Sequence, residues 1–320
     1  MHRIDGPGAT VDNKFTEGDP AGGVQATVVT DDWLNDVQEN VMGVLTAASI
    51  APIKGDYTQL ATAIMSIIAG ATDGIAGAAS NLRGSATGTT APVLVTADSV
   101  CVKNATGQQR TLNAVSIAPS LTTVGVNGLD TGTVGGTVST WYYVWVIWNG
   151  TTTAGLISLS STAPTMPAGY TYKARVSEFR TDATANKYPL KFLQAGKNFT
   201  WVLGGNVANI PQLITGVSGS IAGSPAGWTA VAVGAAVPPT AYAIHVLLGS
   251  TSGSTGTAIV APSALYGGVA GNPTPPLCLS AGSAVPTCVL GRMMLEGTNV
   301  YYACNAAAFV LNCTGWESNL

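Results

Sequence analysis

From Asn198 to Gly291 the chain carries no Asp, Glu, Lys or Arg, an uncharged run of 94 residues. Solubility normally rests on mixed surface charge, so such a stretch has two ways to exist. Its surface is hydrated by Thr, Ser, Asn and backbone groups, or it packs against copies of itself. The run is broken by Gly and Pro and filled between the breaks with Val, Ile and Thr, a composition that suits β-strands joined by turns. Over all 320 residues only 9% are charged, against roughly 25% in an ordinary globular chain. Because 46% are hydrophobic, burial can offset chain entropy and the chain is expected to fold rather than stay disordered. A net charge of −3 gives no electrostatic handle for nucleic acid.

The acids sit at the other end. Nine of the sixteen lie within the first 56 residues, beside the clearest helical pattern, "TDDWLNDVQENVMGVL" from Thr30 to Leu45. Thr30 is placed to cap a helix whose first turn holds Asp31 and Asp32, where negative charge favours the dipole. Leu34, Val37, Val41, Val44 and Ala48 recur at spacings of 3, 4, 3 and 4, an a/d seam kept for two heptads. Such a short seam fits either a helix packed on its own domain or a contact between chains. After Pro52, Asp56 and Gln59 resemble a capping box, and Tyr57, Leu60, Ala61, Ile64, Met65 and Ile68 give a second amphipathic helix. The expected organisation is an attachment region with a helical hairpin at 1–70 and a small-residue connector at 71–92. A β-rich body follows at 93–320, with subdomains at 93–200 and 201–320 as an option.

Beyond Pro92, runs such as "PVLVTADSVCVKNATG", "TWYYVWVIWNG", "YTYKARVSEFRT" and "AYAIHVLLG" are short, rich in β-branched and aromatic residues, and separated by turn signals. They predict a mainly β protein with a sandwich or jelly-roll-like body. In "TWYYVWVIWNG" both faces are apolar, so this strand is expected to be central and covered on both sides, with a sugar-stacking platform as the alternative. No apolar run approaches the roughly 18–20 residues of a membrane span, and the first residues show no secretory h-region. A soluble protein made in the cytosol is expected.

The stretch "VVTDDWLNDVQENVMGVLTAASIAPIKGDYTQLATAI" resembles the amino-terminal segment of tail fibre proteins of tailed phages and prophages, through Asp32 to Gln38 and through Gln59, Leu60, Ala63 and Ile64. "VNGLDTGTVGGTVSTWYYVWVIWNGTTTAGLISLSSTAPTMPAGYTYKARVSEFRTD", "AVPPTAYAIHVLLG", "IVAPSALYGG" and "GWESNL" are similar to a β-rich module of phage structural proteins. The resemblance implies a virion component whose Asp32, Trp33, Leu34, Asn35, Val37, Gln38, Gln59 and Leu60 attach to a tail or baseplate protein. It also implies a homotrimer, in which Leu34, Val37, Val41 and Val44 form an inter-chain seam. The body would then meet a bacterial surface receptor such as lipopolysaccharide or another glycan. A collar, tail-tip or head-decorating part without receptor contact is the alternative, and a glycan depolymerase a third.

Chemistry-bearing residues are sparse. Glu178 and Asp182, beside Arg175 and Arg180, are the nearest carboxylate pair in the body and read as neutralised surface charge rather than a hydrolytic pair. His245 stands in an alternating run without a nucleophile motif. Cys278, Cys288, Cys304 and Cys313 lack zinc-site spacing; disulfides 278–288 and 304–313 or free thiols are both open, and Cys101 reads as a small apolar residue. No catalytic residue, cofactor or metal is expected. Six basic residues within 173–197 form a candidate basic face. With the loop "GSTSGSTGT", they nominate Lys187, Lys191, Lys197, Ser252, Ser254 and Thr255 as receptor surface.

Overall fold

A computed structural model of the chain describes residues 2–71, 75–222, 226–251, 255–267, 276–282 and 286–320. It is mainly β, with two short N-terminal helices, and divides into two compact units, Met1–Asp73 and Gly74–Leu320.

In the first unit α1 (Asp31–Ala47) begins where the sequence reading places it, with the Trp33 backbone N–H donating to Thr30 Oγ1 at 3.4 Å. Its end is a Schellman motif. Ser49 takes the left-handed conformation (φ 56°) usually left to Gly, its N–H donates to Thr46, and Ile50 N–H donates to the carbonyl of buried Leu45. The second helix, α2 (Gln59–Ala71), does not start with the expected capping box. Asp56 instead accepts from the N–H and hydroxyl of Thr58, two residues on. Gln59 reaches back to bond Ala51 O and Ile53 N, pinning the link between the helices. Tyr57, expected on the helix face, precedes the helix and is fully exposed.

Among its described residues the second unit holds seventeen strands: β1 (Ala79–Ser80), β2 (Arg83–Ala86), β3 (Leu94–Lys103), β4 (Gln109–Ile117), β5 (Trp141–Trp148), β6 (Thr153–Ser158), β7 (Tyr172–Arg180), β8 (Phe192–Ala195), β9 (Asn198–Trp201), β10 (Gln212–Thr215), β11 (Thr229–Ala232), β12 (Ala241–Ser250), β13 (Gly256–Ala261), β14 (Leu277–Ala281), β15 (Thr287–Met294), β16 (Asn299–Cys304) and β17 (Phe309–Ser318). Thirteen form one antiparallel sheet along the path β15-β12-β17-β9-β8-β2-β3-β7-β5-β6, with β1 and β4 on β3 and β10 on β17. The other four form a small sheet, β11-β16-β13-β14, and neither closes into a barrel. The stretch 71–92, expected as a connector, supplies β1 and β2 to the large sheet.

One hydrophobic core runs from Leu82 to Trp316 and takes residues from both sheets, so it joins the two halves that the sequence offered as subdomains. β5 lies between β6 and β7, with Tyr142, Val144 and Val146 in this core. On its other face Tyr143, Trp145 and Ile147 pack with Ala154 and Leu156 under Met166 and Tyr170. The strand is therefore covered on both sides, and its aromatics serve packing rather than an open sugar platform. All five cysteines are free thiols, with Cys101, Cys304 and Cys313 buried. Burial pushes the Cys313 thiol up to about 12.

Candidate functional site

The N-terminal unit leaves apolar surface open on both helices. Leu34 is 53% exposed and Val41 38%, while Val37 and Val44 are half-buried on the same stripe. On α2, Leu60, Ile64, Met65, Ile67 and Ile68 are all exposed, Met65 to 70%. Among the described residues only Leu45 on α1 and Ala63 on α2 are fully buried. A short helix is normally stable because its apolar stripe is covered, and here most of the stripe is not. Of the expected attachment residues, Asp32, Asn35 and Gln38 are exposed. Trp33 is turned inward, its ring edge-on to Phe15 at 5.1 Å between centroids, and Gln59 is spent on the inter-helix link. Negative charge gathers beside the helix start, where Asp36 holds His2 at 2.6 Å and raises its pKa.

In the body, the expected receptor residues do not come together. Lys187 donates to Gly136 O at 3.0 Å and Lys191 to Leu203 O at 3.2 Å, so both ammonium groups serve the fold. Lys197 is exposed in the turn between β8 and β9. Thr255 is exposed just before β13 in the other sheet, and Ser252 and Ser254 lie outside the described residues. The basic face is likewise dispersed. Arg175 keeps only 12% of its side chain exposed, its guanidinium 5.4 Å from the Tyr143 ring, and Lys173 lies 5.5 Å over Trp145.

Two concave places on the body went unnoticed in the sequence. One is a groove of about 380 Å³ on the outer face of β3, β2, β8 and β9, where Arg83, Ser85, Thr96, Asn198 and Thr200 surround Leu94 and Leu193. The other, about 300 Å³, is lined by Lys103, Asn104, Trp145, Lys173, Arg175 and Leu320. The Lys173-x-Arg175 alternation marks one wall of this cavity in the sequence. Nothing there signals Lys103, which arrives through the pairing of β3 with β7.

The carboxylates correct the sequence reading. Glu178 is wholly buried and Asp182 is 6% exposed, so neither is surface charge. Glu178 accepts from Trp316 Nε1 at 2.8 Å and Thr240 Oγ1 at 2.5 Å. Burial raises its pKa against those hydrogen bonds and the field of Arg175. Asp182 caps a turn through Thr184 and accepts from Asn206. The two acids thus serve separate structural networks. Glu317 is gripped by Arg292, His245 and Tyr242, and the Arg292 bond chiefly holds its carboxyl well below the usual range. His245 is accounted for as a member of that cluster. Among the described residues no group of three or more His, Cys, Asp or Glu side chains is arranged to hold a metal.

Comparison with models of protein families, with curated proteins and with solved structures finds no match for this chain.

Proposed function

We propose that the chain is a non-enzymatic virion protein of a tailed phage, a tail fibre or receptor-binding protein. Made in the bacterial cytoplasm, it seats its helical unit on a tail or baseplate protein. The body, sandwich or jelly-roll-like, is presented to the host surface. The observation that carries this reading is the open apolar face of Leu34, Val41, Leu60, Ile64 and Met65 in a unit compact by itself. A face of this kind marks a protein partner. Three copies of the α1 stripe meeting around an axis would cover part of it, which is why a homotrimer belongs to the proposal.

A second reading, a collar, tail-tip or head-decorating part that never touches a receptor, draws support from Lys187 and Lys191, whose charges are used internally. Full-length protein should bind both purified tails and whole host cells. A Leu60→Glu/Met65→Glu variant, altered at two exposed positions, should lose tails and keep cells. Binding to tails with no binding to cells selects the second reading, and binding to neither overturns both.

A further inference from the structure

The chain turns from β5 to β6 through Asn149, Gly150, Thr151 and Thr152, all of them exposed. The side-chain oxygen of Asn149 accepts three hydrogen bonds in this turn, from Thr151 N at 3.0 Å, Thr151 Oγ1 at 3.1 Å and Thr152 N at 2.7 Å. A bond from Oδ1 to the second residue on closes a ring around the peptide link to Gly150, so the amide is folded back over that link. Among the described residues nothing accepts from the Gly150 N–H, which is left to solvent. Gly150 has open space around its α-carbon and no side chain to crowd its nitrogen.

An amide carbon held beside a free backbone nitrogen is an electrophile facing a nucleophile. Negative charge gathering on Oδ1 during attack falls on three donors already in place. We propose that Asn149 is a self-modification site, where the chain turns an asparagine into an acid without an enzyme. Base in the solvent removes the Gly150 N–H proton, and the nitrogen attacks Asn149 Cγ. A C–N bond forms, the Cγ–Nδ2 bond breaks, and Nδ2 leaves as ammonia with a proton from solvent, closing an imide ring. Water then opens the ring at either carbonyl, to aspartate or to isoaspartate. Aspartate keeps all three donors, now as charge-assisted bonds. Since β5 is paired on both edges and covered on both faces, the new charge and the altered backbone stay within the turn.

Two other asparagines each hold half of this arrangement. Asn127 also precedes a glycine, but Gly128 is buried and its N–H donates to Gly125 O at 2.9 Å. Asn104 has the same cradle, its oxygen accepting from Thr106 N at 3.1 Å, Thr106 Oγ1 at 2.9 Å and Gln108 N at 2.8 Å, but Ala105 follows it and puts a methyl group beside the attacking nitrogen.

The test is to hold the full-length protein in warm, mildly alkaline buffer, with and without denaturing urea, and to follow the three asparagines in time by peptide mass spectrometry. In the folded chain Asn149 should convert at least about tenfold faster than Asn127 or Asn104, a modest share of what near-attack geometry can contribute to a rate. In urea Asn127 should catch up with Asn149, since both precede glycine and the fold no longer separates them. Gly150→Ala should slow conversion at 149 by at least about tenfold, and Ala105→Gly should start it at 104 in the folded chain. The proposal fails if Asn127 keeps pace with Asn149 in the folded chain, if their gap survives in urea, or if Ala105→Gly leaves Asn104 intact. None of these results depends on tails or cells, so the fibre reading is judged separately.

Discussion

The indole N–H of Trp316 donates to the carboxylate of Glu178 at 2.8 Å, joining β17 to β7 across 138 residues in a place where both side chains are fully buried. Trp316 is also stacked on Phe199 at 4.8 Å, so the bond sits at the crossing of the first and last parts of the body. Replacing Glu178 with Ala strands the Trp316 and Thr240 donors and opens a cavity, a loss on the order of 2–4 kcal/mol. Glu178→Gln keeps an acceptor and the volume, so it should cost much less. Urea unfolding of the two variants at one pH measures the difference.

The pH dependence of stability should carry two opposed contributions. Glu178 has its folded pKa raised above the ordinary 4.5, chiefly by burial. Between 4.5 and that raised value the folded chain holds the extra proton, so stability falls as pH rises through the window. Glu317 is depressed below 4.5, chiefly by Arg292, so its contribution is present above 4.5 and is lost as pH falls toward its folded value. Urea midpoints followed from acid to neutral pH should flatten on the acid side in Glu317→Gln. In Glu178→Gln the decline on the neutral side should disappear.

Gly315 in β17 sits directly against the backbone of β9. A Cβ there would run into the Phe199 carbonyl, and that backbone is held by the pairing of Gly315 with Thr200 and of Trp316 with Phe199. A flexible side chain could yield, but a paired carbonyl cannot. Gly315→Ala should destabilise by about 1–3 kcal/mol through overpacking, read as a lower urea midpoint with an unchanged m-value.

What the sequence shows of this molecule follows the range of the forces involved. The start of α1 was legible because a cap, two acids and an apolar period lie within one stretch, and β5 because its burial is written in its own alternation. The residues of β1 and β2 are mostly small, so their composition alone has the look of a linker. Gly84 in β2 lies against the Gln194 side chain of the neighbouring strand, which would have to shift to admit a Cβ, and that neighbour is 110 residues away. The Lys103–Lys173 pair and the buried state of Glu178 depend on strand register and on layers packed from distant segments. Local composition says nothing about either. Arg175 and Arg180 made Glu178 look neutralised at a surface, but their own guanidiniums are partly buried with it.

The oligomeric state is the most direct check on the N-terminal stripe. Leu34 and Val41 lie one heptad apart and stay open, while Val37 and Val44, each three residues further on, are half-covered by their own unit. A face built in this way gains from burial only if another chain supplies the cover. Sedimentation of the intact protein should therefore give three times the 32.3 kDa chain mass. Val41→Asp places a charge in the middle of the stripe at a position 38% exposed within one chain, so the monomer fold tolerates it and the assembly does not. The variant should sediment as single chains or aggregates with its helical circular dichroism retained. A trimer mass for both proteins would return Leu34, Val37, Val41 and Val44 to the surface of a single unit, and a monomer mass for the parent would remove the seam altogether.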